Sequence, residues 1–161
     1  MTSALESSRQ EDQILQLEPV PHPAADAAEP FIVASDRRVI VAYPIAESDF
    51  ERFGPFDPHD DPFCAVLFPD AVFHRLGPPG ERDLQIHPLA SNGLTAYCAH
   101  EVIHSSLVDE LSTVSLPELG KRHFVITFME STFECVASDY TVVGVYGAAE
   151  IASREAFALV R

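Results

Sequence analysis

The chain has 161 residues, which is the length of one domain, and its apolar fraction of 47% is enough for an ordinary globular core. Its 25 acidic and 10 basic residues give a formal charge of −15. That charge repels phosphate backbones and anionic bilayers, so we expect neither a nucleic-acid nor a membrane partner. The sequence shows no long apolar run, no signal-peptide pattern and three widely spaced cysteines in apolar surroundings, which predicts a cytoplasmic protein with buried, reduced thiols.

Residues 1–30 differ in composition from the rest of the chain, because they contain four prolines and no aromatic residue. They predict a disordered or extended N-terminal arm, followed by a single α+β domain at 31–161. One apolar patch, Gln13–Leu17, could lie along the domain or along a partner subunit. This arm, together with sheet edges that need cover, predicts a homo-oligomer, most simply a dimer.

Runs of β-branched and aromatic residues predict strands along the rest of the chain, at 31–34, 38–43, 63–68, 71–76, 94–103 and 140–146. A helical turn is expected over 48–52 and a C-terminal helix over 148–159. Another helix is predicted over 107–114, because Ser105/Ser106 with the acidic pair at 109–110 form a capping-box signature. Residues 81–92 fit either an irregular helix or a loop. The order of elements predicts an α+β fold, mainly an antiparallel sheet with two or three helices packed on it.

The densest block of strand-forming residues, 123–137, predicts a hairpin whose turn lies at Glu130-Ser131. Alternation then gives the hairpin two different faces. One face is apolar and pairs Phe128 with Phe133, Ile126 with Cys135 and Phe124 with Ala137. The other face carries polar groups, including His123 and Glu134. Among apolar neighbours, the Cys135 thiol is expected to have a raised pKa and to be inert.

The string His100-Glu-Val-Ile-His104 matches the HExxH pattern. On a helix the two histidines would converge on zinc and Glu101 would activate the bound water, as in a zinc peptidase. The surrounding run 95–104 favours a strand instead, and the helix-start signal comes only after the motif. In a strand the two histidines stand roughly 13 Å apart, too far for one zinc ion. We therefore favour a strand and no cofactor, with the zinc peptidase as the alternative.

Several other polar residues are candidates for a ligand site near the hairpin. A histidine close to a carboxylate can act as a general base or a ligand-binding donor, although a polar pair on a solvent-facing sheet is the alternative. The loop 57–61 gathers three carboxylates, but without EF-hand spacing it is expected to be solvated. The sequence thus favours a domain that binds a small ligand or a protein partner beside the hairpin rather than an enzyme. The candidate ligand-binding residues are His87, His123, Glu130, Ser131 and Glu134.

The same region resembles a family of uncharacterised bacterial proteins. In that family the hairpin looks like HYIFTFHDSTFEC. It is preceded by a GHPL segment and by a pattern in which FEV, a serine and EL follow one another at intervals. The chain departs from that pattern at Met129-Glu130, which replaces His-Asp, and at Ile86, which replaces Gly. The resemblance implies no activity, but it leaves His100 and His104 outside the shared pattern. The shared residues are His87–Leu89, Glu101-Val102, Ser105, Glu110-Leu111, His123, Thr127-Phe128 and Ser131–Cys135.

Overall fold

The computed structural model describes residues 9–25, 29–114 and 120–161, and within them nine strands form two antiparallel sheets. The first sheet has the order β1-β6-β7-β8-β5: β1 Gln13–Gln16, β6 Ala99–Ile103, β7 Arg122–Thr127, β8 Thr132–Ala137 and β5 Phe73–Gly77. The second has the order β2-β3-β4-β9: β2 Phe31–Ala34, β3 Arg38–Pro44, β4 Phe63–Pro69 and β9 Thr141–Tyr146. The helices are α1 Phe50–Phe53, α2 Ser106–Val114 and α3 Ala149–Val160. The predicted α+β class is confirmed, with two sheets where one was expected.

The two sheets pack face to face through aromatic side chains. Phe68 on β4 lies with its ring centroid 5.2 Å from Phe124 and 5.4 Å from Phe133, both on the first sheet. On the opposite face of the second sheet, Ala152 and Ala156 of α3 are fully buried. None of the helices in the described ranges is long and apolar enough to cross a membrane.

The predicted hairpin forms, but its register differs by two residues from the prediction. Phe124 lies opposite Cys135 and Ile126 lies opposite Phe133, because the turn is centred on Met129-Glu130 rather than on Glu130-Ser131. A shift of two residues keeps every side chain on its original face, since side chains alternate with a period of two. The apolar face is therefore the one that was predicted. Burial raises the pKa of the Cys135 thiol to about 12, as expected.

The N-terminal arm is extended and packs on the domain where the structure describes it. The patch Gln13–Gln16 pairs with β6 as an edge strand of the first sheet. Val20 is buried, and the Tyr43 hydroxyl donates a 2.7 Å hydrogen bond to the Pro21 carbonyl. Residues 9–25 therefore belong to the folded unit rather than to a disordered segment.

The segment 81–97 covers the outer face of the first sheet. It consists of two 3₁₀ turns, at 81–86 and 90–92, and a loop, so the ambiguity at 81–92 resolves into broken helical turns. The strand predicted from residue 94 begins only at Ala99. Leu89 and Leu94 pack from this cover onto Val102 and Val125 of the sheet. The face predicted to carry polar groups is therefore buried.

Candidate functional site

Four polar side chains form a continuous hydrogen-bond chain between the first sheet and its cover. Glu134 on β8 lies between two imidazoles: its Oε1 contacts His87 Nε2, and its Oε2 lies 3.2 Å from His123 Nε2. The second ring nitrogen of His123, Nδ1, lies 2.8 Å from Ser105 Oγ. Both histidines and Ser105 are buried, so these groups must pair with one another rather than with water.

The proton positions on His87 follow from its surroundings. The backbone N–H of Leu89 donates to His87 Nδ1 at 3.0 Å, so this nitrogen carries no proton. The Nε2 atom therefore bears the proton and donates to the Glu134 carboxylate. His87 is fixed in one tautomer because a proton on Nδ1 would break the bond from Leu89.

His123 is held differently. Its Nε2 faces Glu134 and donates to it, which leaves Nδ1 to accept a hydrogen bond from the Ser105 hydroxyl. The Ser105 oxygen accepts in turn from the Val108 N–H at 3.2 Å, as the N-cap of α2. A hydroxyl can both donate and accept, so Ser105 Oγ accepts from the Val108 N–H while its own proton is donated to His123 Nδ1.

Glu134 stays ionised in this environment. Burial alone would raise its pKa, but the hydrogen bonds from His123 and His87 and their positive charge when protonated outweigh that effect and lower the pKa to about 2. The carboxylate side chain is 14% exposed. A buried negative charge therefore lies between the two imidazoles of the hydrogen-bond chain at neutral pH.

The Ser105 end of the chain opens on a surface depression of about 250 Å³. Ser105 and His123 both line it, together with Ile103, Val108 and Lys121. His104, also in its wall, has a left-handed backbone with φ of 57°, which is uncommon outside glycine. The Ser105 end of the hydrogen-bond chain is thus close to solvent, although Ser105 itself is largely covered.

A larger cleft of about 560 Å³ lies at the other end of the hairpin, roughly 20 Å from His123 by the rise of six residues. Two hydrogen bonds join one wall of the cleft, at the start of the cover segment, to the hairpin. The Glu81 N–H donates to the Met129 carbonyl at 2.9 Å, and Thr132 Oγ1 donates to the Pro79 carbonyl at 2.7 Å. The cleft is lined by Pro78, Pro79, Gly80, Glu81, Arg82, Asp83, Ile86, Tyr97, Met129 and Glu130.

The first four residues of the HExxH string lie on β6, and none of the string lies on a helix. His100 is buried, its Nδ1 donates to the Val125 carbonyl at 3.0 Å, and its Nε2 accepts from the Thr95 N–H at 3.2 Å. Burial lowers the pKa of His100, which favours the neutral ring. Both ring nitrogens are thus engaged within the fold, while His104 lies exposed beyond the strand end. The helical arrangement that the zinc hypothesis requires is not formed.

No group of three or more potential metal-ligating side chains is found among the described residues. The loop at 57–61 is exposed, and its carboxylates accept backbone hydrogen bonds within the loop. All three cysteines are free, and Cys64 and Cys135 are buried as predicted, whereas Cys98 is only partly buried. Glu118, a possible third ligand in the zinc hypothesis, lies outside the described residues.

The structure brings together three of the five predicted site residues, namely His87, His123 and Glu134. It places the other two, Glu130 and Ser131, at the hairpin tip, where Glu130 lines the larger cleft. Ser105 was predicted only as a helix cap, and its contact with His123 was missed. Its place in the sequence pattern that resembles the uncharacterised bacterial proteins was the one available signal.

Comparison of the chain with protein-family models, with curated proteins and with solved structures found no match.

Proposed function

We propose that this protein is a small-molecule-binding domain whose site is the cleft at the tip of the β7–β8 hairpin, and that its ligand is an organic cation. The observation that carries the proposal is the cleft itself. At about 560 Å³ it has the volume of a small-molecule site, and its walls come from two segments that are hydrogen-bonded to each other.

The cleft is formed before any ligand binds. A side chain at Gly80 would meet the backbone of Glu130, with its Cβ 2.7 Å from the Glu130 Cα, so only glycine allows this close approach. Farther along the same segment, His87 is tied to Glu134 by a charge-assisted hydrogen bond. These contacts hold the cover on the sheet at both ends of the cleft wall, and a preformed site loses less entropy on binding.

The side chains of the cleft favour a cation with an apolar body. Glu81, Asp83 and Glu130 contribute three carboxylates, while Arg82 is the one basic side chain among its described lining residues. Partial burial, and then the carboxylates of Glu81 and Glu130, raise the pKa of Tyr97, which places its ring close to these charges. An ammonium group would pair with the carboxylates and contact the Tyr97 ring.

The apolar part of such a ligand has partners as well. Ile86 is 70% exposed and Met129 is 40% exposed, and both side chains lie in the cleft wall. Burying them against the carbon skeleton of an amine would remove apolar surface from water. Inorganic cations would not gain this contribution, so an organic amine is the better fit.

Titration with phenethylammonium, followed by amide chemical shifts in NMR spectra, tests the proposal. Shift changes are expected at residues 80–83, 97 and 129–130, and phenylacetate, of similar size but opposite charge, is expected to cause none. Glu130→Gln should weaken binding by about fivefold, equivalent to about 1 kcal/mol for an exposed ion pair. Asp36→Asn, in the exposed turn between β2 and β3, is the matched control and should leave binding unchanged. Equal responses to both probes, or a response elsewhere in the domain, would contradict the proposal.

We also propose that the domain forms a homodimer in the cytoplasm. The surface that supports this lies on α3, where Phe157 is 59% exposed and Ile151 is 47% exposed. These exposed side chains would lose apolar surface in contact with a second copy.

A further inference from the structure

The hydrogen-bonded side chains of Ser105, His123 and Glu134 have the connectivity of a hydrolytic triad. A hydroxyl donates to one nitrogen of an imidazole, at 2.8 Å, and the other nitrogen of that ring donates to an ionised carboxylate, at 3.2 Å. Triads are recognised by geometry and roles rather than by order in the chain. Here Ser105 pairs with Nδ1 and Glu134 with Nε2, which exchanges the two ring nitrogens but preserves the path of the proton.

The position of Ser105 in the fold also suits a nucleophile. It stands at a junction between strand β6 and helix α2, directly after the left-handed residue His104. In serine hydrolases of the α/β class the nucleophile itself lies on a strained turn between a strand and a helix, whereas here the left-handed residue is the one before the serine. A residue held in this sparsely populated backbone region is a common mark of a functional site.

The helix-capping role of Ser105 does not explain its contact with His123. Capping uses the oxygen as an acceptor from the Val108 N–H, and any acceptor side chain at this position would satisfy that amide. The hydroxyl proton remains available, and it is directed at an imidazole that is itself oriented by a buried carboxylate. Because His87 is locked by Leu89, His123 is the member of the pair that can take up this proton at Nδ1.

We infer that Ser105 is a catalytic nucleophile for small acyl esters, with His123 as its general base and Glu134 as the group that stabilises the resulting imidazolium. Ser105 Oγ attacks the carbonyl carbon and its proton passes to His123 Nδ1. The bond between the carbonyl carbon and the alcohol oxygen then breaks, and His123 returns the proton to the leaving alkoxide. Water, deprotonated by His123, then attacks the acyl carbon of the ester. The bond from that carbon to Ser105 Oγ breaks, His123 returns the proton to the serine oxygen, and the carboxylic acid leaves.

The depression limits the substrate to a short acyl chain. Its volume of about 250 Å³ is small, and Ile103 and Val108 supply apolar wall beside Ser105. This site lies at the opposite end of the hairpin from the proposed cation cleft and does not depend on it.

The test uses a fluorophosphonate probe on the full chain, with p-nitrophenyl acetate as the substrate. We expect a single phosphonyl adduct, located on Ser105 by peptide mass spectrometry, and loss of both labelling and ester hydrolysis in Ser105→Ala. Ser106→Ala, which changes the exposed neighbouring serine, should keep the wild-type labelling rate. Glu134→Gln should lower that rate at least a hundredfold while the variant remains folded by circular dichroism.

Two results would overturn the inference. One is the absence of any adduct on Ser105 after prolonged exposure of the wild-type protein to millimolar probe. The other is a labelling rate in Glu134→Gln equal to that of the wild type, since the base would then not depend on the carboxylate. Both results can be obtained even if Ser105→Ala fails to fold, because they use only the wild-type protein and Glu134→Gln.

Discussion

The substitution Glu134→Gln tests the hydrogen-bond chain while keeping its shape. Glutamine has one acceptor and one donor where the carboxylate has two acceptors. His87 can only donate at Nε2, because the Leu89 N–H occupies its Nδ1, so the glutamine oxygen must face His87. The glutamine amide then donates to His123, whose proton moves to Nδ1 and points at Ser105. Every hydrogen bond is retained, but the direction of the His123–Ser105 bond is reversed.

The cost of this change follows from the bonds that it weakens. A hydrogen bond to a charged group contributes about 1.5–3 kcal/mol and a neutral one about 0.5–1.5 kcal/mol, so two bonds together lose about 2 kcal/mol. Glu134→Ala instead leaves one buried nitrogen of each imidazole unpaired. At about 1–3 kcal/mol for each group, that variant should lose about 4 kcal/mol. The difference in unfolding free energy between the two variants measures the cost of the unpaired nitrogens rather than the cost of the lost charge.

Two measurements check this prediction. Urea unfolding gives the stability of each variant, and long-range proton–nitrogen NMR correlations show which ring nitrogen of each histidine carries the proton. His123 should be protonated at Nε2 in the wild type and at Nδ1 in Glu134→Gln, while His87 keeps its proton on Nε2 in both. If His123 keeps its tautomer in the variant, or if Ala is no more destabilising than Gln, the arrangement described here is incorrect.

Three further predictions concern stability and assembly. The pKa of Glu134 is about 2 in the folded protein against an ordinary 4.5, so the ionised carboxylate adds about 3 kcal/mol to the free energy of unfolding. This contribution should be present above pH 4.5 and lost between pH 4.5 and 2 in urea titrations. The loss should be absent in Glu134→Gln. Gly80→Ala should lower the free energy of unfolding in urea by about 1–3 kcal/mol and abolish binding of phenethylammonium, because the new Cβ meets the hairpin backbone. The control is Gly147→Ala, whose Cβ meets nothing within 4 Å and which should be neutral in both assays. Phe157→Ser should convert the dimer to a monomer in light scattering, whereas Val72→Ser, which changes another exposed apolar residue, should not. A dimer that persists in Phe157→Ser would refute the α3 interface.

Local patterns predicted those parts of the fold that depend on neighbouring residues. The β2–β3 hairpin, α2 and α3 lie within one or two residues of their predicted bounds, and for α2 a capping signature marks the start directly. The two faces of β7 and β8 were also predictable, since alternation fixes them even when the register is off by two. This is why His123 and Glu134 could be placed together in advance.

Contacts between distant segments were not predictable in the same way. His87 meets Glu134 across 47 positions, and it does so from a cover segment whose own pattern was ambiguous. The polar face of the hairpin looked like a solvent-facing surface, since nothing in its alternation shows that another segment lies over it. Ser105 carried a local explanation as a helix cap, which concealed its second contact.

The two histidines show why burial alone does not separate a structural polar group from a reactive one. Both contact the same carboxylate and both are almost fully buried. His87 is bounded on its far side by a backbone N–H, a donor that cannot change its role, so it can serve only to hold the cover on the sheet. His123 is bounded by a hydroxyl, which donates or accepts equally well. The direction of the hydrogen bond can therefore reverse at the His123 end but not at the His87 end, and that asymmetry directs the search for chemistry to Ser105.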